Sequence, residues 1–186
     1  MHQCNFFDWQ IMSFQPAQIP NNDNKRVEAV HRADVIEEID SKLYEIFCFL
    51  AKEITGCPVS WTGVIDSEKQ VMLARDGFPD DVPNEMPRNQ TLCQFALERK
   101  QPLVINNMVK DTRFRYHPAV TDFGVRFYAA FPIVTSDGYT LGTLCVSDNK
   151  VRKLTKHKIS LLMGLATKLA YQLEVQVSQR KGTAES

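Results

Sequence analysis

The run from Arg126 to Asp148, RFYAAFPIVTSDGYTLGTLCVSD, constrains the fold of this chain more than any other stretch. Two apolar segments flank Ser136-Asp137-Gly138. Asp-Gly supplies the positive φ angles of a type I′ turn, so the run reads as a tight β-hairpin. Alternation along the first arm puts Arg126 and Tyr128 on one face and Phe127 on the other. Gly142, inside the second arm, marks a bulge or a close approach by another group.

Helical patterns lie on either side of this hairpin's domain. From Lys25 to Thr55, an apolar stripe runs through Val27, Val30, Ile36, Ile39, Leu43, Ile46 or Phe47, Leu50 and Ile54, with a break near Asp34. Gly56 stops the helix, and Pro58 cannot continue it. After the hairpin, Thr155 is placed to cap a second long helix reaching about Gln179, with Ile159, Leu162, Leu165 or Ala166, Leu169, Leu173 and Val177 as its stripe. Between them, residues 58–66 and 69–75 read as two strands around a Ser-Glu turn. Residues 77–89, punctuated by Pro79, Pro83 and Pro87, read as loop. Residues 89–100 read as a short helix with Leu92, Cys93, Ala96 and Leu97 on one side. Residues 102–105 form a short strand, and 106–124 are irregular. Residues 1–24 read as an extension whose Phe6, Phe7, Trp9 and Phe14 dock on the domain, because so many exposed aromatics would be a liability. Residues 25–179 are the domain, and 180–186 close a polar stretch from Ser178 that reads as a disordered tail.

The resulting class is α+β: antiparallel strands with the long helices over one face, and loops and short helices over the other. The helix stripes are longer than a small sheet needs. They either pack simply on the sheet or, as we expect, also pair between protomers of a homodimer.

Composition narrows the partners. The chain has 186 residues, enough for one domain with extensions, and equal numbers of acidic and basic side chains, 22 of each. A net charge of zero exerts no global pull toward nucleic acid or an anionic membrane. The five cysteines, Cys4, Cys48, Cys57, Cys93 and Cys145, are odd in number and contain no CxxC. That argues against a disulfide framework or a zinc site and fits a reducing cytosol. The first residues carry Asp8 and no basic segment, so they do not read as a signal peptide. No run approaches the ~20 apolar residues of a membrane helix, and the expected location is the cytoplasm.

Four pieces, in order, carry a resemblance: FLAKEITGCPVSWTGVID at 49–66, TLCQFAL at 91–97, DTRFRYHPAV at 111–120 and the hairpin at 126–148. Together they resemble GAF domains, small sensory modules that end in RFYAG-PL, a turn and LGTLCV-D; the likeness covers roughly Leu43 to Glu174. It implies a profilin-like antiparallel sheet of about six strands, terminal helices on one face and a ligand pocket on the other. It further implies a free-standing sensor of a small molecule that acts through a dimer or a signalling partner protein. Two departures point to a drier pocket: Phe95 stands where relatives carry His, and Ala130 where they carry Gly.

The candidate ligand-binding residues are Cys93, Asp111, Arg113, Phe114, His117, Arg126, Tyr128 and Asp148. Arg113 suits a bidentate clamp on phosphate or carboxylate, and pairing with Asp111 is its structural alternative. His117 before Pro118 is either a turn hydrogen-bonder or a ligand contact. Arg126 and Tyr128 offer a charge and a hydroxyl-bearing ring to a polar planar ligand; pairing with Asp111 or Asp148 at the strand end is the structural alternative for Arg126. One GAF branch reduces free methionine sulfoxide with pocket cysteines and another binds bilin through a Cys. Cys93, near a helix start, is the alternative catalytic thiol, although both it and Cys145 suit a small apolar core. Asn149-Lys150 resembles the opening of the cyclic-nucleotide signature, but Leu154 and Lys158-Ile159 stand where its Phe and acidic pair belong, which argues against a cyclic nucleotide. No metal or established cofactor is implied. A third reading is a ligand-free dimerisation module whose pocket is filled by Phe95 and Phe114.

Overall fold

The computed structural model describes residues 13–36 and 40–184. Its hairpin forms where expected, from β5 (Phe127–Val134) and β6 (Thr140–Asp148), with Ala130 opposite Cys145. The turn differs from the expected type I′. The Gly138 N–H donates to Thr135 O and the Thr135 N–H to Tyr139 O, both at 2.9 Å, giving a three-residue connection. Only Gly138 within it has a positive φ, +88°, whereas a type I′ turn requires two such residues. Side-chain bonds hold the wider loop: the Thr135 hydroxyl reaches Asp137 Oδ1 at 2.5 Å and accepts the Tyr139 N–H at 3.1 Å.

Gly142 meets both sequence expectations. The β5–β6 register shifts beside it, between Ile133 and Val134. A Cβ at Gly142 would also lie 1.9 Å from the carbonyl oxygen of Gly63 in the neighbouring strand.

That neighbour is β1 (Val59–Ile65), which pairs with β6 on one side and with β2 (Lys69–Asp76) on the other. Two three-residue strands complete the sheet: β3 (Glu85–Pro87) beside β2, and β4 (Leu103–Ile105) beside β5. The order β3-β2-β1-β6-β5-β4 is antiparallel throughout. β3 lies in the segment read as loop. Its prolines hide it, and it is tolerated because it forms the sheet's edge.

Helices α1 (Asp23–Arg32), α2 (Lys42–Thr55) and α4 (Lys156–Ala184) belong to one face; α3 (Pro118–Thr121) is a single turn on the other. α1 and α2 are separate because Asp34 adopts a left-handed conformation, φ 48°, at the expected break. α2 ends at Gly56, φ 72°, whose N–H returns to Lys52 O. Thr155 caps α4 by accepting the Lys158 N–H at 3.2 Å. α4 runs to Ala184, past the Gln179 limit, so 180–184, read as disordered tail, are helical backbone; no proline interrupts them and only Gly182 disfavours the helix.

The helix-face core contains Tyr44, Cys48, Phe127, Phe131, Leu144, Leu162, Leu169 and Leu173. α4 therefore buries Leu162, Ala166, Leu169 and Leu173 of the expected stripe, with Ile159 half-buried; the Val177 side chain lies outside the described ones. α2 departs from its own stripe. It turns Tyr44, Cys48, Ala51 and Thr55 inward and leaves Leu43, Ile46 and Phe49 exposed at 39%, 52% and 51%. Of the remaining stripe, Ile39 lies outside the described residues.

An ion cluster fastens α1 to the sheet edge. The Asp23 carboxylate accepts Arg26 Nε at 2.7 Å and Arg88 Nη1 and Nη2 at 2.6 and 2.9 Å. Arg26 also donates to Ile65 O, and Arg88 to Ser67 O at 3.3 Å. All three residues are buried, an arrangement that survives only because the charges are paired and hydrogen-bonded.

Candidate functional site

The face opposite the helices is built on three adjacent strands. The register aligns Trp61 of β1, Cys145 of β6 and Ala130 of β5 across the sheet. By alternation Tyr128 and Ala130 join them on this face, while Phe127 and Phe131 belong to the helix face. Above them lie the segment expected to be a short helix, which forms two 3-10 turns instead (Arg88–Gln90 and Cys93–Ala96), and the irregular 106–124 loop. Leu92, Cys93, Ala96 and Leu97 point down as the sequence spacing predicts.

The interior of this face is filled by the protein's own side chains. Phe114 is fully buried, and Phe95 packs edge-on against it at 4.8 Å. Trp61 lies 5.8 Å from the Tyr128 ring and 5.4 Å from Phe78. At the centre, Cys93 Sγ and Cys145 Sγ are 3.6 Å apart. The Tyr128 hydroxyl lies 3.3 and 3.4 Å from them, and Cys145 donates to Thr143 Oγ1 at 3.0 Å. Burial raises the Cys93 pKa, but contacts from Cys145, Thr143, Tyr128 and Trp61 outweigh it and hold the thiol below its ordinary value. Cys145, buried and facing that sulfur, is pushed well above it. One proton of the pair is thus released more readily than the other. By contrast Cys48, under the helices, is pushed up to about 12 by burial.

The N-terminal arm crosses the outside of this face. Phe14 packs on His117 at 4.4 Å and on Phe95 at 5.9 Å, and the Ala17 N–H donates to Gln94 Oε1 at 3.0 Å. Phe14 therefore docks as expected, while Phe6, Phe7 and Trp9 lie outside the described residues. Between arm and turn is a cleft of about 470 Å³ whose lining includes Gln18, Gln94, Phe95, Glu98, Arg99 and Arg113.

The candidate residues distribute unevenly. Cys93, Phe114 and Tyr128 converge in the buried interior. His117 stands at its rim as the cap of α3: Nδ1 accepts the Ala119 N–H at 3.0 Å and Nε2 donates to Gln90 O at 2.9 Å. Burial lowers its pKa, only partly opposed by the Gln90 carbonyl. Asp111 and Arg113 form the bidentate pair, at 2.9 and 2.6 Å, and Arg113 lines the cleft. The Arg113 hydrogen bonds hold the Asp111 carboxyl below its usual range despite partial burial. The Arg126 guanidinium pairs with neither carboxylate, Asp111 nor Asp148, but donates to Val120 O and Val125 O, both at 3.0 Å, closing the loop, while its backbone N–H donates to Asp148 O at 2.8 Å. Asp148 engages Arg152, which also reaches Gly56 O at the end of α2, so it is not assembled with the others. Cys93 opens a four-residue 3-10 turn rather than a helix, which removes the dipole expected to activate it. Gln94, which ties the arm down, was not legible as a site residue: nothing in the local spacing says which segment its amide meets.

A family model for the GAF domain matches residues 42–173. The chain belongs to the GAF domain family. Its resemblance to a cyclic di-GMP phosphodiesterase of Pseudomonas aeruginosa is 28% identity over 145 residues, covering 77% of this chain and 24% of that protein. The chain thus spans about a quarter of that relative's length. A domain of a Sinorhizobium meliloti protein described as a two-component sensor histidine kinase superposes with a TM-score of 0.61 at 12% identity, covering 81% of this chain and 100% of that one. A type II free methionine-R-sulfoxide reductase from Thermoplasma acidophilum superposes at 0.60 with 14% identity, covering 76% and 94%. At such identities these two structures establish the fold, and the fold alone. GAF domains occur in proteins described as sensors, the Sinorhizobium meliloti protein among them. Among the described residues no helix is long and apolar enough to cross a membrane.

Proposed function

We propose that the chain is a small-molecule-sensing regulatory domain acting in signal transduction in the cytoplasm. A polar ligand would enter the cleft under the arm, between Arg113, Gln94 and the Phe95 ring. By binding one arrangement of the arm and the 3-10 turn better than another, it would shift the population of states carried by the terminal helices. Asp111, His117 and Arg126 would hold the loop that forms the wall, while Phe114 and Tyr128 supply the floor and Cys93 sits on the turn above it.

The observation that supports this reading most is the apolar row on α2. Leu43, Ile46 and Phe49 face outward, and α4, packed beside α2, exposes Leu161 and Tyr171. The occupant we assign is a second copy of the chain. A chain with no net charge does not repel itself, and a two-fold axis brings like rows together. A signalling partner protein would then read the paired helices.

Sedimentation with native mass spectrometry tests both halves. The expected result is a dimer that becomes monomeric in Ile46→Glu/Phe49→Glu with little change in thermal midpoint, and a ligand mass or a thermal shift with a metabolite panel. A wild-type monomer at all concentrations overturns the helix output. A dimer with neither ligand mass nor thermal shift favours the ligand-free dimerisation module.

One observation favours an enzymatic reading, a thiol-dependent reductase of free methionine sulfoxide: the proximity of Cys93 to Cys145. Turnover that is lost in Cys93→Ser would support it, and no turnover would end it.

A further inference from the structure

The two central sulfurs are held by segments of unequal firmness. Cys145 lies on β6, hydrogen-bonded on one side to β1 and on the other to β5. Cys93 opens a 3-10 turn whose bonds are long: Phe95 N–H to Leu92 O and Leu97 N–H to Gln94 O are both 3.3 Å. Closing the 3.6 Å gap to a bond of about 2 Å asks for movement of the turn alone and leaves the sheet in place. Small openings of that turn also give a water-sized oxidant its route to an otherwise buried thiol. The other two described thiols, Cys48 and Cys57, sit in the helix-face core instead.

We propose that Cys93 and Cys145 form a reversible intramolecular disulfide on exposure to a hydroperoxide, making the pair an oxidation site in the floor of the pocket face. Cys93 loses its proton and attacks the peroxide. The S–O bond forms, the O–O bond breaks, and the leaving hydroxide or alkoxide takes up the proton. The Cys145 sulfur then attacks the sulfenic sulfur. The S–S bond forms, the S–O bond breaks, and water leaves with the Cys145 proton. The two thiols give up two electrons and the peroxide accepts them. Cys93 is the attacking sulfur because it sits on the movable turn, with the Tyr128 hydroxyl and the Cys145 thiol placed to stabilise its anion. The bond would fasten the 3-10 turn, and with it the cleft wall at Gln94 and Phe95, to the central strand. The inference requires no ligand in the cleft and stands whether or not the sensor reading does.

The test is a peptide map of the whole chain. Folded protein is treated with hydrogen peroxide at neutral pH, denatured, alkylated and cleaved with trypsin without reductant. The expected product links the peptide 89–99, which contains Cys93, to 127–150, which contains Cys145. Dithiothreitol separates it, while peptides 43–52 and 53–69 stay alkylated at Cys48 and Cys57. In Cys145→Ser, Cys93 should proceed to sulfinic acid. The proposal is overturned if wild-type 89–99 carries sulfinic acid while Cys145 remains an alkylated thiol. It is equally overturned if both are fully alkylated after a dose that oxidises free cysteine completely. The wild-type map decides the matter even if the variant fails to fold.

Discussion

Replacing Asp23 with alanine removes the carboxylate that Arg26 and Arg88 share. The side chains of the three residues are 12%, 1% and 9% exposed, so water cannot take over the lost contacts. Breaking a buried ion pair by deleting one partner costs ~3–5 kcal/mol. Here each guanidinium keeps backbone carbonyl contacts, Arg26 at Ile65 and Arg88 at Ser67, which places the expected loss at the lower end, about 3 kcal/mol. At ~2–4 °C per kcal/mol for a domain of this size, the thermal midpoint should fall by about 6–12 °C. Asp23→Asn, which keeps one acceptor oxygen, should lose less. Urea and thermal unfolding at pH 7 measure the difference, and repeating them in acid checks its origin. Burial raises the Asp23 pKa, but hydrogen bonds from Arg88 and Arg26 more than offset that and hold the carboxyl below its ordinary range. A depressed folded pKa means the contribution is complete above the unfolded value, about 3.9, and is lost as pH falls through the folded one. The gap between wild type and Asp23→Ala should therefore close below about pH 4. A loss under about 1 kcal/mol at pH 7, the size of an exposed pair, would refute the reasoning. So would a gap that stays constant into acid.

Two further outcomes follow from named contacts. Gly142→Ala puts a methyl group 1.9 Å from the Gly63 carbonyl oxygen, where only backbone can give way; denaturant unfolding should show a loss of at least ~2 kcal/mol, and a neutral result would mean the two central strands part easily. His117 has a folded pKa lowered by burial, so above its unfolded value of ~6.5 it is neutral in both states and adds no pH dependence. Below that the unfolded chain takes a proton the fold refuses, and stability declines until the folded value is reached. His117→Asn keeps a capping acceptor and should flatten that decline between pH 7 and 5.5; an unchanged slope would assign the titration elsewhere.

Much of the fold was legible because its signals are short-range. The hairpin announced itself through Asp137-Gly138 between two apolar arms, the break between α1 and α2 fell at Asp34, and Thr155 and Gly56 marked their helix ends. Features that rest on distant partners escaped. β3 carries no pattern of its own in three residues and exists because β2 offers it an edge. Asp23 and Arg26 are a readable i,i+3 pair on one helix, but Arg88, 65 residues on, joins them only through the pairing of β2 with β3. The site was half legible: Cys93, Tyr128 and Phe114 were singled out by residue type. Asp148 was grouped with them, although the structure turns it to Arg152.

The sequence by itself determined the helix boundaries at Asp34, Gly56 and Thr155, the hairpin and its alternation, and the family, because those depend on neighbours a few residues apart. Tertiary structure alone decided which way α2 is rotated. Its apolar residues occupy more than one face, and close packing on the sheet selects Tyr44, Cys48, Ala51 and Thr55, leaving Leu43, Ile46 and Phe49 outside. It alone also placed β6 between β1 and β5, with Cys145 beneath the 3-10 turn that carries Cys93, 52 residues away in the chain. A contact across that separation depends on strand order and register, which no local periodicity encodes.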